Sequence, residues 1–141
     1  MSSAITDVAK ALAELRPQYI YLPQTEDERM QISQKFYREF GFPGFYGALT
    51  CSLIKILSPG GSLAETFRCC KGFLALNIQT VSDSDLCIQN IVVRWPGSTH
   101  DSTVFDHSYV MAHLETKVPS SYQLLGNNGY PLRSYMMTPF F

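Results

Sequence analysis

No basic surplus marks this sequence. Its 11 Lys and Arg stand against 12 Asp and Glu, a formal charge of −1, so no overall pull draws it toward a polyanion, and DNA binding by this segment alone is disfavoured. No stretch approaches the roughly 20 consecutive apolar residues of a membrane span. Met1-Ser2-Ser3-Ala4 leads into Asp7, Lys10 and Glu14, where a secretory signal would carry an apolar run, so an intracellular, soluble product is expected. Paired C-x-x-C spacing is missing too. Cys51, Cys69, Cys70 and Cys87 therefore read as buried or free thiols in a reducing compartment and not as a zinc site. There is no internal repeat and no low-complexity tract.

What is present is the apolar content of a folding domain: 45% hydrophobic and 13% aromatic residues in 141, a one-domain length. Ala4, Val8, Leu12 and Leu15 recur at helical spacing until Pro17, which is expected to stop the first helix. Thr25-Glu26-Asp27-Glu28 has the form of a capping box, and Ile32, Phe36 and Phe40 follow at i, i+4 and i+8. Gly41 then supplies a left-handed end, which predicts a second helix from about Glu26 to Phe40.

After Phe42-Pro43-Gly44 the period changes. Phe45 to Leu57 is apolar and almost free of charge, as in a buried strand. Two further strand-like runs, Gly72 to Val81 and Leu86 to Arg94, flank Ser82-Asp83-Ser84-Asp85, and the three are expected to form a meander. Trp95-Pro96-Gly97 ends the third strand as a hydrophobic plug. Ser98-Thr99-His100-Asp101 then opens a helix whose Val104, Phe105, Tyr109 and Leu114 share a face. Tyr122 to Leu125 reads as a fourth strand and Gly126 to Gly129 as a turn.

Two segments carry chemistry. They are Trp95-Pro96-Gly97-Ser98-Thr99-His100-Asp101-Ser102 and Leu124-Leu125-Gly126-Asn127-Asn128-Gly129-Tyr130-Pro131-Leu132-Arg133. Ser98-x-x-Asp101 has capping-box spacing, so Asp101 reads first as a helix cap. His100 reads as a polar capping or surface residue. Asp106, His107 and His113 are assigned to a solvated face, because the two histidines are not at the i, i+4 spacing of paired ligands. Lys71 and Arg68 are too few to make a basic patch.

Together with Lys71-Gly72-Phe73 and Tyr19-Ile20-Tyr21-Leu22-Pro23, these motifs resemble the Harbinger transposase-derived nucleases of the DDE superfamily. The resemblance covers nearly the whole chain. It implies an α/β, partial RNase H-like fold: a three-strand meander, a helix and a fourth strand, preceded by two N-terminal helices. It also divides the chain into a helical segment, 1–44, and a truncated nuclease domain, 45–141.

In that family divalent Mg or Mn ions sit between carboxylates and drive DNA hydrolysis. The first acid lies in a run reading Gly-Ala-Ile-Asp-Cys-Thr-His, matched here by Gly47-Ala48-Leu49-Thr50-Cys51-Ser52-Leu53, so Thr50 takes the Asp position. The second lies in Leu-Leu-Gly-Asp-x-Gly-Tyr-Pro-Leu, where Asn127 takes its place. A final Glu belongs to a helix beyond residue 141. Asp101 is the family acid that survives, a candidate metal ligand with His100 behind it as a donor. The resemblance thus implies a nuclease by descent, in the nucleus or cytoplasm, without activity or bound metal in this chain. A Myb-like DNA-binding protein is the expected partner if a scaffold role survives, and a functionless remnant is the other reading. The apolar ending Met136-Met137-Thr138-Pro139-Phe140-Phe141 is expected to be core without a core, leaving an open sheet edge for self-association.

Overall fold

A computed structural model of the chain describes residues 2–139. It is a mixed α/β arrangement around one five-stranded sheet in the order β3-β2-β1-β4-β5. Phe140 and Phe141, read above as core residues, lie outside the described residues.

α1 spans Ser3–Tyr19 and passes through Pro17 without ending, so the expected stop does not occur. Pro17 sits in the last turn, where few intrahelical bonds remain beyond it to be lost. No residue of α1 is buried. α2, Glu26–Phe40, forms where its caps predict. Thr25 Oγ1 accepts from the Glu28 N–H at 3.2 Å, Glu28 reaches back to the Thr25 N–H, and Gly41 closes the helix at φ 74°.

β1 is Phe45–Lys55, β2 Ala75–Ser82 and β3 Ile88–Pro96, and the expected antiparallel meander is present. Burial of β1 does not run through the strand. Its first half is enclosed, but Thr50, Ser52 and Ile54 are exposed, because cover lies on one face only. Burial alternates strictly along β2, with Ala75, Asn77, Gln79 and Val81 buried. Two amides therefore occupy inward positions that an apolar pattern would not assign.

The single helix expected after Ser98 is two: α3, Asp101–Asp106, and α4, Tyr109–Thr116. Ser108 breaks the run by competing locally for backbone groups. Its hydroxyl donates to the Phe105 carbonyl at 2.7 Å and accepts from the Met111 N–H at 3.3 Å, capping α4. This rotates the second helix, so Val104, Phe105 and Leu114 are buried while Tyr109 is exposed. His113, assigned to a solvated face, is buried instead.

β4, Gln123–Gly126, runs parallel to β1 with Leu49 opposite Gly126. It is not the last strand: β5, Met136–Met137, pairs in parallel with it and covers part of its outer edge. The core joins Leu22, Tyr46, Leu49, Val81, Phe105 and Leu124 with their neighbours, and Ile32 of α2 packs against it. Helices α2, α3 and α4 thus share one core on one side of the sheet. No described helix is long and apolar enough to cross a membrane.

Candidate functional site

A cavity of about 680 Å³ opens beside β1, the N-terminus of α3 and the Gly129 turn, and Cys51, Asn77, Thr99, His100 and Asp101 line it. Asp101 is the one carboxylate on its wall. It stands at the first position of α3, where its charge complements the helix N-terminus. The capping box read from Ser98-x-x-Asp101 is not formed. His100 is the capping residue, without a side-chain cap bond, and the Ser98 hydroxyl donates to the Thr66 carbonyl at 2.6 Å.

What holds Asp101 comes from β2. The buried Asn77 amide donates to Asp101 Oδ1 at 3.1 Å and to the Thr99 carbonyl at 2.9 Å, fixing both the carboxylate and the chain leading into α3. Sequence reading missed Asn77 as a site residue. Its signal was available in the alternation Ala75, Asn77, Gln79, Val81, which puts an amide in line with core residues.

Cys51 completes the inner wall, and the buried Tyr130 backs it. The Tyr130 hydroxyl donates to Cys51 Sγ at 3.1 Å. Burial pushes the Cys51 thiol up to about 12, the Asp101 carboxylate adding to the rise while the Tyr130 hydroxyl opposes it. Burial likewise carries the Tyr130 hydroxyl well above the ordinary phenol range, the Cys51 contact adding to it. Both groups are held neutral. They supply neither a thiolate nucleophile nor a ready base.

Of the two positions that the resemblance matches to family acids, Asn127 is brought near Asp101 and Thr50 is not. Cys51 points to the core side, so the adjacent Thr50 points to the opposite face, exposed and opposite Thr80 of β2. Asn127 bends on itself, its Oδ1 accepting from the Gly129 N–H at 2.8 Å. Gly129 is the hinge of this arrangement: a Cβ there would meet Asp101 Oδ2 at 2.9 Å and Asn127 Oδ1 at 3.0 Å. Only a residue without a side chain lets these two groups approach the same turn.

Other polar residues singled out by the sequence are engaged elsewhere. Asp106 pairs with Arg133 at 2.6 Å, and Arg133 also donates to the Tyr135 hydroxyl at 3.0 Å, tying α3 to the segment after β4. Arg94 donates to the His107 carbonyl at 2.9 Å and lies 5.1 Å from the Trp95 ring, consistent with a plug at the strand end. Arg68 is clamped by Glu65 at 2.7 and 2.9 Å.

Comparison with known proteins places this geometry. A family model described as "DDE superfamily endonuclease" matches residues 49–141. This chain belongs to the DDE superfamily endonucleases. "Putative nuclease HARBI1" of Mus musculus is 32% identical over 140 residues, and that of Homo sapiens 31%; each match covers 99% of this chain and 40% of the relative. "Protein ALP1-like" of Arabidopsis thaliana is 24% identical over 124 residues, 78% of this chain and 30% of that protein. The Harbinger resemblance carried by the motifs agrees with these relatives. The chain spans about two fifths of the length of the nuclease relatives it matches. No solved structure matches it significantly.

Membership of the DDE superfamily endonucleases implies divalent metal, and the donor set can be tested against that ion. Each Mg²⁺ or Mn²⁺ ion of a two-metal centre takes one or two protein carboxylates together with substrate phosphates. Here one carboxylate lines the cavity, with Asn77 bound to one of its oxygens, and Thr50 faces away. Among the described residues no three His, Cys, Asp or Glu side chains converge. The residues present do not fit a two-metal centre.

Proposed function

We propose that this chain is a transposase-derived, nuclease-like domain with an RNase H-like arrangement, in which the hydrolytic centre has been lost. The supporting observation is the state of Asp101: a lone carboxylate on the cavity wall, oriented by an amide and sharing that wall with a neutral Cys51 that Tyr130 backs. Two-metal hydrolysis needs a second and third anionic ligand to activate water and to hold the leaving oxygen. Thr50 and Asn127 offer a hydroxyl and an amide, which carry no charge. The element order β1-β2-β3, helices, β4 parallel to β1 supports the RNase H-like reading.

Without a cleaving centre, the domain's remaining capacity is contact with DNA-bound partners, a Myb-like protein being the one the family resemblance implies. Incubating the purified chain with supercoiled plasmid and Mg²⁺ or Mn²⁺ tests the proposal. No metal-dependent nicking is expected. Nicking that disappears in an Asp101→Ala variant would overturn it.

A further inference from the structure

Among the described residues, two apolar surfaces have no partner. The first is the stripe of α1: Ile5, Val8, Leu12, Leu15 and Tyr19, spaced by three and four residues, expose 42% to 73% of their surface. The second is the side of the sheet turned away from α3 and α4. Register places Ala48, Thr50, Ser52 and Ile54 of β1 there, beside Leu76, Ile78 and Thr80 of β2, Ile91 of β3, and Leu125 and Met137 beyond. None of these belongs to the buried core cluster, and none carries a charge.

We propose that this chain forms a two-fold dimer in which α1 of each copy lies on the uncovered sheet face of the other. The surfaces match in kind and in size. A charge-free sheet takes an apolar stripe without desolvating an ion: Asp7, Lys10 and Glu14 of α1 fall outside the stripe, and Arg16 at its margin has a side chain long enough to keep its guanidinium in water. The 17 residues of α1 extend about 25 Å, close to the roughly 20 Å separating the outer strands of a five-stranded sheet.

A second copy is required because α1 cannot reach its own open face. Leu22 is buried in the core, and the Pro23 carbonyl accepts from the buried Arg29 at 3.4 Å, which pins the chain on the helix-covered side. Ile20 and Tyr21 alone lie between the end of α1 and Leu22, a reach of about 10 Å. Passing from one covering layer to the other takes roughly 20 Å, at about 10 Å per layer. Two-fold symmetry also supplies the area. One contact hiding roughly 400 Å² on each side falls short of a stable interface of about 1,200 Å², whereas two reach about 1,600 Å².

Sedimentation of the full chain with two sets of variants tests this. Val8→Asp with Leu12→Asp spoils the stripe of a helix that buries nothing, and Thr50→Lys with Ile54→Lys charges two exposed positions of the sheet. The native chain should be a dimer, each double variant a monomer, and the equimolar mixture of the two a heterodimer, since one intact helix-on-sheet contact is then joined by a second in which the introduced aspartates face the introduced lysines. A native monomer, a dimer that survives the α1 changes, or a mixture that stays monomeric would each overturn the proposal. If the sheet variant does not fold, a photo-crosslinker at position 12 of the otherwise native chain decides. Crosslinks to residues 48–54 or 76–80 of the other copy support it, and crosslinks to α1 of the other copy overturn it.

Discussion

Asn77 holds Asp101. Its amide donates at 3.1 Å to the carboxylate and at 2.9 Å to the Thr99 carbonyl, linking a central strand to the start of α3. Asn77→Leu keeps the size and removes both donors. It leaves a carboxylate and a carbonyl unpaired at a part-buried site, a loss of roughly 1–3 kcal/mol. Urea denaturation reads this directly, and unchanged stability would show that water replaces the amide without cost.

Cys51 should be chemically quiet. Its thiol is pushed up to about 12 by burial, so almost none is thiolate near pH 8. Iodoacetamide is expected to label the exposed Cys70 and Cys87 first and to spare Cys51 until the fold is opened. Peptide mapping after a short pulse checks the order; Cys51 labelled as fast as Cys70 would contradict the enclosed Tyr130 contact.

His113 makes stability depend on pH. Burial and then the Arg29 guanidinium hold its imidazole below the ordinary value of 6.5. The unfolded chain therefore takes up the proton first as pH falls. Stability from this group is full above about pH 6.5 and declines as pH drops toward the lower folded value. A lower melting temperature at pH 5.5 than at pH 7.5 is expected, with the difference reduced in His113→Leu. An identical slope in the variant would place the effect elsewhere.

Restoring one acid should not restore hydrolysis. Asn127→Asp puts a second carboxylate near Asp101 across Gly129, but Thr50 remains neutral and on the other face. Metal-dependent nicking by Asn127→Asp alone would show that the ligand set has been assigned wrongly.

The elements with strong local signals were legible in the sequence: the Thr25 box and Gly41 define α2, and the β-branched runs gave the meander. Failures came where a local competitor or the tertiary environment decided. Ser108 breaks a helix that the apolar spacing alone carries through, and α1 continues past Pro17. His113 is assigned to a solvated face on histidine spacing alone, which says nothing of the break at Ser108 that turns it inward. At the site, motif matching found Thr50, Asp101 and Asn127, but only strand register showed that Thr50 and Asp101 face apart. Asn77 escaped notice because amides are rarely assigned to an inward strand face.

Manganese binding tests the central claim most directly. In a titration of the purified chain followed by the Mn²⁺ electron paramagnetic resonance signal, the free-ion signal should rise in proportion to added metal, unchanged by Asp101→Ala. Saturable loss of that signal that disappears in Asp101→Ala would contradict it, since it would show a metal centre assembled around the one carboxylate this cavity retains.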